Sequence, residues 1–536
     1  MTEKKNNYIL LTVFISGMTT LGVELSAIRL IAPFFGTSDI IWANLIGLVL
    51  IYLSIGYFVG GRWADTDPRH STFYQIIAWG AFLTGLIPFV AMPILRWSVE
   101  GFATFNAGIL IGSFVAVLIL FSIPMTLLGM ASPFAIRLAV TNVGGTGKIA
   151  GSIYALSTLG SILGTFLPGL ILIPNIGTRY TFLFFSIVLL IVAIGGLLSQ
   201  SKSYGVIYLC LMVILIILAI YFPNRPIKIN ERAVYETESR YNYIQVIKAN
   251  DEYLLYLNEG TGIHSIYRPH AILAYGIWDY FLIVPFFNDP PHTTEHVNSL
   301  LVIGSAAGTI SKQYTAVYGK IPIDGVEIDP EISRVGYDWF AMNEPNVTTI
   351  NEDGRFYLAN IDRKYDVISV DAYRPPYIPF QLTSQEFFQE IYDHLNDDGI
   401  VAINAGRSAH DYSLVIALGS TMKSVFPNVY VLDAPSFESD LGNSLVIASK
   451  QPTKLLNVVN NAALVENPHL HDVFNRVINF SRVWEITCQA NHPFVPGFGG
   501  DLLDVLPSAC IPPFTDDKAP IEQVVHGLIF RYILNQ

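Results

Sequence analysis

Gly304, Gly308, Glu327, Asp353 and Asp371 are the residues whose types and spacing most directly suggest chemistry. They fall in LLVIGSAAGT (300–309), DGVEIDP (324–330), NEDGRFYL (351–358) and YDVISVDAY (365–373), in that order. An apolar strand that runs into a turn of glycine and small residues lets a helix N-terminus approach a ligand. An acid ending the next strand can accept hydrogen bonds from ribose hydroxyls. The turn lacks the Lys-Ser/Thr of a phosphate loop, and the strand ends carry the carboxylates Glu327, Asp329, Asp353 and Asp371 rather than cations. A nucleoside, not a free phosphate group, fits that pattern.

The elements that must position these residues follow from periodicity. Strand patterns occur at 299–304, 321–327, 347–350, 366–371, 399–404, 429–433 and 444–449, alternating with helical ones, which predicts a largely parallel sheet covered by helices. SQEFFQEIYDHL (384–395) has apolar residues at helical spacing and is expected to stop near Asp397-Asp398-Gly399. Ahead of this region, YNYIQVIKA, YLLYLNEG and TGIHSIYRP, separated by turn signals, predict a small antiparallel sheet. The expected organisation is a membrane domain over 1–222, a linker over 223–234, a small β region with a connecting helix over 235–298, and an α/β Rossmann-like domain over 299–536.

Composition supports that division. The chain is 52% hydrophobic and 14% charged, against about a quarter charged in soluble proteins. Residues 1–222 hold ten Lys/Arg and six Asp/Glu, whereas 223–536 hold 21 and 37, giving formal charges of +4 and −16. Nucleic acid is a poor partner for so acidic a second half. Apolar stretches near 9–33, 40–61, 74–96, 107–136, 149–173, 179–198 and 204–222 predict about seven membrane helices and make the lipid bilayer a partner. The first reads as a membrane helix rather than a cleavable signal, because its apolar run is long and holds Glu24 and Arg29. Ionisable groups in such a place are costly, so Glu24 and Arg29 are read as paired with each other or with another helix, or as part of a transport or substrate path. Gly151, Ala155, Ser157, Gly160, Ser161 and Gly164 in the fifth helix predict close helix packing.

Orientation is contradictory in the sequence. Lys4, Lys5, Arg62, Arg69, Arg137, Lys148 and Lys202 fall on one side, which places the N-terminus in the cytoplasm. Seven crossings then put the acidic half outside. Either one segment is not a full crossing, or the charge rule misleads, or the domain works outside the cytoplasm. Cys488 and Cys510 bracket a Pro/Gly-rich stretch and are either a disulfide of an oxidising compartment or two free thiols. The histidines show no compact ligand spacing, so no metal is expected.

Taken together, YETESRYNYIQV (235–246), LLVIGSAAG, GVEIDP, EDGRFYL, YDVISVDAY, LTSQEFF (382–388) and TDDKAP (515–520) resemble spermidine synthases. The arrangement is similar to bacterial proteins in which a multi-spanning membrane domain is fused to such a domain. The resemblance implies transfer of an aminopropyl group from decarboxylated S-adenosylmethionine to a small-molecule amine with release of methylthioadenosine. It also implies a bacterial inner or plasma membrane location and a homodimer. On the matching motifs, Gly304, Ser305 and Gly308 form the nucleoside turn, Glu327 holds the ribose, Asp353 and Gly354 contact the adenine, and Asp371 and Tyr373 stand at the catalytic position.

The acceptor half departs from that pattern. The Gly-Gly-Gly-Asp-Gly turn of the family is Gly304-Ser305-Ala306-Ala307-Gly308 here, so the acid that holds the aminopropyl amine is replaced by Ala307. Asp-Ser-Ser-Asp-Pro becomes Asp371-Ala372-Tyr373-Arg374-Pro375, with a cation where the family has a base. His264 falls near the family's Gly-x-x-Gln glutamine, and Ile277-Trp278-Asp279 aligns with Tyr-His-Glu. His264, Asp279 and Arg374 are therefore the substrate-side candidates. A cation at Arg374 favours an anionic group such as the carboxylate of ordinary S-adenosylmethionine. That leaves open methyl or aminocarboxypropyl transfer, a lyase reaction, or a transporter or sensor with a nucleoside-binding regulatory domain.

Overall fold

The computed structural model describes residues 2–36, 38–102, 108–140, 145–222, 227–228, 230–258, 262–373, 377–435, 441–487 and 510–534. The chain divides into two compact units. One holds 1–231 with 236–243 and 258–260, and the other holds 232–235, 244–257 and 261–536.

The first unit is helical: α1 (Thr2–Phe35), α2 (Asp39–Thr66), α3 (His70–Phe102), α4 (Gly108–Gly129), α5 (Ala131–Ala139), α6 (Thr146–Leu167), α7 (Ile173–Gln200) and α8 (Lys202–Tyr221). The described residues of the seven apolar stretches fall almost wholly on these helices, with Pro168–Leu172 forming a π-helical turn between α6 and α7. Among the described residues, five helical runs are long and apolar enough to cross a membrane, the last being Thr146–Gln200, and Gly205–Tyr221 is a shorter apolar helix. The long run is interrupted at Gly177, whose φ of 77° and ψ of 166° are not helical. That left-handed value is one glycine tolerates without steric cost.

Helix α1 packs against α6 and α7, α2 against α4, and α3 against α4 and α7. The α1–α6 crossing is close because side chains are missing from it. A Cβ on Gly160 would lie 2.0 Å from the Phe14 carbonyl oxygen, one on Gly164 2.1 Å from that of Met18, and one on Gly17 2.3 Å from that of Ser157. Ser161 also donates to the Gly17 carbonyl at 3.2 Å. Gly151 takes no part in this contact, having nothing within 4 Å of its Cβ position.

Glu24 is buried at 7% exposure. The Arg29 guanidinium donates to the Tyr241 carbonyl at 2.7 Å. Residues 236–243 cluster with the helices for related reasons. Glu238 accepts from the Thr178 backbone N–H at 2.9 Å and its hydroxyl at 2.7 Å, just past the Gly177 break, where the first N–H groups of a helical segment lack partners.

The strands β1 (Ala233–Glu238), β2 (Tyr243–Ala249), β3 (Glu252–Leu257) and β4 (Ile263–Tyr267) form a four-stranded sheet in sequence order. Next come α9 (Ile277–Phe281), β5 (Leu300–Ile303), α10 (Thr309–Tyr318), β6 (Ile323–Val326), α11 (Pro330–Trp339), β7 (Val347–Ile350), α12 (Gly354–Ala359) and β8 (Tyr365–Val370). They are followed by α13 (Gln385–Asp393), β9 (Leu395–Ser408), α14 (Ser413–Lys423), β10 (Asn428–Asp433), β11 (Leu441–Ser449), α15 (Asn457–Ala462), α16 (Pro468–Phe480), β12 (Arg482–Glu485) and α17 (Ile521–Leu534).

These later strands make one eight-stranded sheet in the order β12-β10-β11-β9-β8-β5-β6-β7. From β9 to β7 it is parallel, and β11, β10 and β12 add antiparallel to the β9 side. All seven expected strands are present, and β12 is an eighth that the sequence pattern does not announce. The expected stop at Asp397-Asp398-Gly399 is not a turn after α13. Asp393 ends the helix, and those residues lie within β9, where the register against β8 shifts between Tyr365 and Val367. Cys510 is disulfide-bonded, so the free-thiol reading fails there, and Cys488 lies outside the described residues.

The Gly164 contact gives a direct test. Gly164→Leu is expected to destabilise the helical unit by about 1–3 kcal/mol in detergent melts, because the α1 backbone must move to admit it. Gly151→Leu, with open space at its Cβ, serves as the control and is expected within about 0.5 kcal/mol of wild type.

Candidate functional site

Strand order fixes where a ligand can sit. From β5 the chain steps outward to β6 and β7, then returns to β8 on the other side of β5, so the crevice between the β5 and β8 carboxyl ends is a topological switch point. Gly304 leaves β5 there with φ of 84°. A Cβ on it would be 2.5 Å from the Asp371 carbonyl oxygen and 2.6 Å from the Ala372 Cα, so only glycine lets the two loops meet this closely. The backbone N–H groups of Gly304 and Ser305 both donate to the Val326 carbonyl, at 2.9 and 3.0 Å. Gly308, also at φ 84°, starts α10, and its Cβ position lies 2.7 Å from Met342.

Glu327 follows β6 and is 7% exposed. Its Oε2 accepts from the Ala306 N–H and its Oε1 from the Asp329 N–H, both at 3.0 Å. Burial outweighs these bonds and pushes its carboxyl up to about 7. Asp353 caps α12 by accepting from the Arg355 and Phe356 N–H groups at 3.0 and 3.1 Å. Both bonds go to Oδ1, and neither goes to Oδ2. Gly354 is required by packing, since its Cβ would be 2.4 Å from Ile303 Cγ2.

Asp371 ends β8. Its Oδ1 accepts from Asn404 Nδ2 at 2.9 Å, and the nearby Trp278 side chain also favours the ionised carboxylate. Desolvation raises it to about 6 despite those donors. Tyr373 donates its hydroxyl to the Asn404 carbonyl at 3.1 Å, while burial and the nearby Asp371 raise its phenol far above the ordinary range. It stays protonated at neutral pH, so it cannot serve as a proton acceptor there.

The substrate-side candidates fare differently. Asp279 is fully buried and accepts from the Ala274 and Tyr275 N–H groups at 2.8 and 2.9 Å, Gln313 at 2.6 Å and Arg476 at 2.7 Å. Those four donors fill its two oxygens, so a substrate role for Asp279 does not hold. Its pair with Arg476 is structural, of the kind whose rupture costs about 3–5 kcal/mol. The neighbouring Trp278, which the motif comparison passed over, is the residue that reaches Asp371. His264 is half-buried with Nε2 unpartnered among the described residues, and burial pulls its imidazole down to about 4, leaving it neutral. Ser265 beside it accepts from the Ala307 N–H at 3.0 Å and so ties β4 to the nucleoside turn. Arg374 lies outside the described residues.

Asn404, Asn443 and Ser265 are residues around this crevice that no motif pointed to, and Trp278 lay inside the Ile277-Trp278-Asp279 match without being singled out. Asp516 of the TDDKAP segment has a structural assignment: it accepts from Arg355 at 2.6 and 2.8 Å and from Ser384 at 2.5 Å. Arg355 also bonds Glu390 at 2.9 Å. This clamp holds the segment against α12 and α13. No group of three metal-ligating side chains occurs among the described residues.

Residues 290–457 match the spermine/spermidine synthase domain family. A probable polyamine aminopropyl transferase of Bifidobacterium longum is 38% identical over 202 residues, which cover 37% of this chain and 44% of that protein. The match thus spans less than half of that relative's length. Polyamine aminopropyltransferase 1 of Aquifex aeolicus is 24% identical over 243 residues, 44% of this chain and 82% of the relative. Among solved structures, a probable spermidine synthase from Corynebacterium glutamicum is 19% identical with a TM-score of 0.38, covering 46% of this chain and 87% of its own.

Proposed function

We propose, from the premise that this is a spermidine synthase-like chain, that it is a membrane-bound transferase. It would move an aminopropyl group from decarboxylated S-adenosylmethionine to a small amine and release methylthioadenosine. The observation that supports this reading is how the motif residues converge. The Gly304–Gly308 turn, Glu327 and Asp353 stand at the carboxyl ends of adjacent strands, with Asp371 across the switch point. Glu327 would hold the ribose hydroxyls and the free Oδ2 of Asp353 the adenine amino group. Asp371 would face the substrate's ammonium.

A second reading keeps the fold and changes the donor. Ala307 has its N–H committed to Ser265 and offers no carboxylate for an aminopropyl amine. That favours a donor whose tail is not a lone ammonium, such as ordinary S-adenosylmethionine. Mass spectrometry of detergent-purified protein with each donor, with and without polyamines, separates the two. Methylthioadenosine formed only from the decarboxylated donor plus an amine is the expected result. Methylthioadenosine or S-adenosylhomocysteine from the ordinary donor would select the second reading, and no product from either would overturn both.

Glu327 gives the binding step a pH signature. Ribose hydroxyls donate to an ionised carboxylate, so affinity rises with pH through about 7. In the free protein the same raised carboxyl contributes stability that is full below its unfolded value and lost as pH rises through about 7. Methylthioadenosine is therefore expected to bind about tenfold more weakly at pH 6 than at pH 8 by calorimetry, a difference that Glu327→Gln removes.

The membrane assignment rests on the polarity of the helical unit. Phe58, Ile123, Phe166 and Ile207 are 59–73% exposed, while Thr12, Ser26, Thr84, Ser113 and Thr181 are buried. Apolar groups outside and hydroxyls inside suit a lipid solvent. Alkaline carbonate washing is expected to leave the protein in the membrane pellet; release into the wash would count against the assignment.

A further inference from the structure

Three adjacent strands present polar side chains in a row at the ligand end of the sheet. Ile403 of β9 is registered with Val370 of β8, so Asn404 stands beside Asp371. In β11, Leu445 opposes Asn404 and Asn443 opposes Gly406, which puts Asn443 on the diagonal and on the same face. Asn443 Nδ2 donates to Asn404 Oδ1 at 2.9 Å, and Asn404 Nδ2 donates to Asp371 Oδ1 at 2.9 Å.

We propose that Asn443 and Asn404 form a two-amide relay that sets the orientation and charge of Asp371, making both asparagines positioning residues for the substrate-side carboxylate. The proposal rests on the reading of Asp371 given above. An amide has one accepting and one donating end. With Asn443 donating to its oxygen, Asn404 must turn its NH2 towards Asp371. Flipping Asn404 would set oxygen against carboxylate and NH2 against NH2, losing both bonds. Asn404 is 5% exposed, so water is poorly placed to replace either one. Its backbone carbonyl also accepts from Tyr373, so the same residue anchors the chain just past the carboxylate.

A donor aimed at a carboxylate favours the ionised form, which is the form that holds an ammonium. Burial opposes ionisation at this position. The relay offsets part of that cost at the one acid the described site offers on the β8 side of the switch point. Its loss therefore raises the protonation midpoint of Asp371 and weakens its grip on a cation.

Infrared pH-difference spectra of the full-length protein in detergent read this without any substrate. The protonated-carboxyl band of Asp371 is identified by its loss in Asp371→Asn. Asn404→Ala and Asn443→Ala are each expected to move its midpoint up by about half to one unit, a three- to tenfold change in proton affinity. Asn443→Ser, whose hydroxyl still donates, is expected to return most of the shift. Asn443→Asp accepts from Asn404 and turns its oxygen towards Asp371, so it is expected to give the largest rise. A merely structural role predicts no such order. An unmoved midpoint in Asn443→Ala, or in Asn443→Asp should the alanine variant not fold, overturns the relay. A band that shifts as expected in a protein that turns over neither donor would sink the proposed function and leave the relay standing.

Discussion

The approach of the β5 turn to the end of β8 is the constraint on which the rest of the site depends. Gly304 has no Cβ because the Asp371 carbonyl and the Ala372 Cα occupy that space. The contact brings the loops after β5 and β8 together at the switch point. Other small residues serve the same fit: Gly354 is held against Ile303, Gly308 against Met342, and Gly325 leaves space for the Ser305 hydroxyl. An added methyl group at Gly304 would push the turn after β5 and the Asp371 loop apart. Geometry of the two halves of the site is therefore coupled before any ligand arrives.

Given that frame, the acids are separated by what donates to them. Asp279 has four donors and no exposure, so it is spent on structure. Asp353 has two, both on one oxygen, so half of it remains available. Glu327 and Asp371 have fewer donors than their burial demands, and both carboxyls are displaced upward. A binding carboxylate is useful when a ligand completes its hydrogen bonding, and these two are the ones left incomplete. Counting donors thus distinguishes residues that sequence treats alike.

The sheet was legible because most of its strands hold a short apolar run buried on both faces and bounded by turn residues, and seven of eight appear in the pattern. The missed strand, β12, is only four residues long and carries Arg482 and Glu485, too brief and too polar for periodicity to register. The glycine turn after β5 was legible because Gly304 and Gly308 sit at left-handed φ, which backbone geometry reserves for glycine. The Asn relay was not, because its members belong to three strands and are joined only by sheet register. Asp279 shows the converse: a motif match named the acid, while the fold gave the contact with Asp371 to Trp278 one residue earlier.

The departure at Ala307 can be weighed physically. In a turn whose N–H groups are already bound to Glu327 and Ser265, an acid at that position would bring another negative charge beside Glu327, itself buried and already penalised by desolvation. Alanine removes that repulsion and gives up a fixed counter-charge for an ammonium. Under the proposed aminopropyl transfer, the burden of holding the substrate's cation would then fall across the switch point on Asp371, whose ionised form Asn404 and Trp278 favour. A site with one such carboxylate grips a diamine less firmly than a site with two or three. It also tolerates a tail that carries its own carboxylate, since one fewer fixed negative charge repels it. The same substitution that weakens one substrate class therefore widens access to another, and the electrostatics around Asp371 set how far.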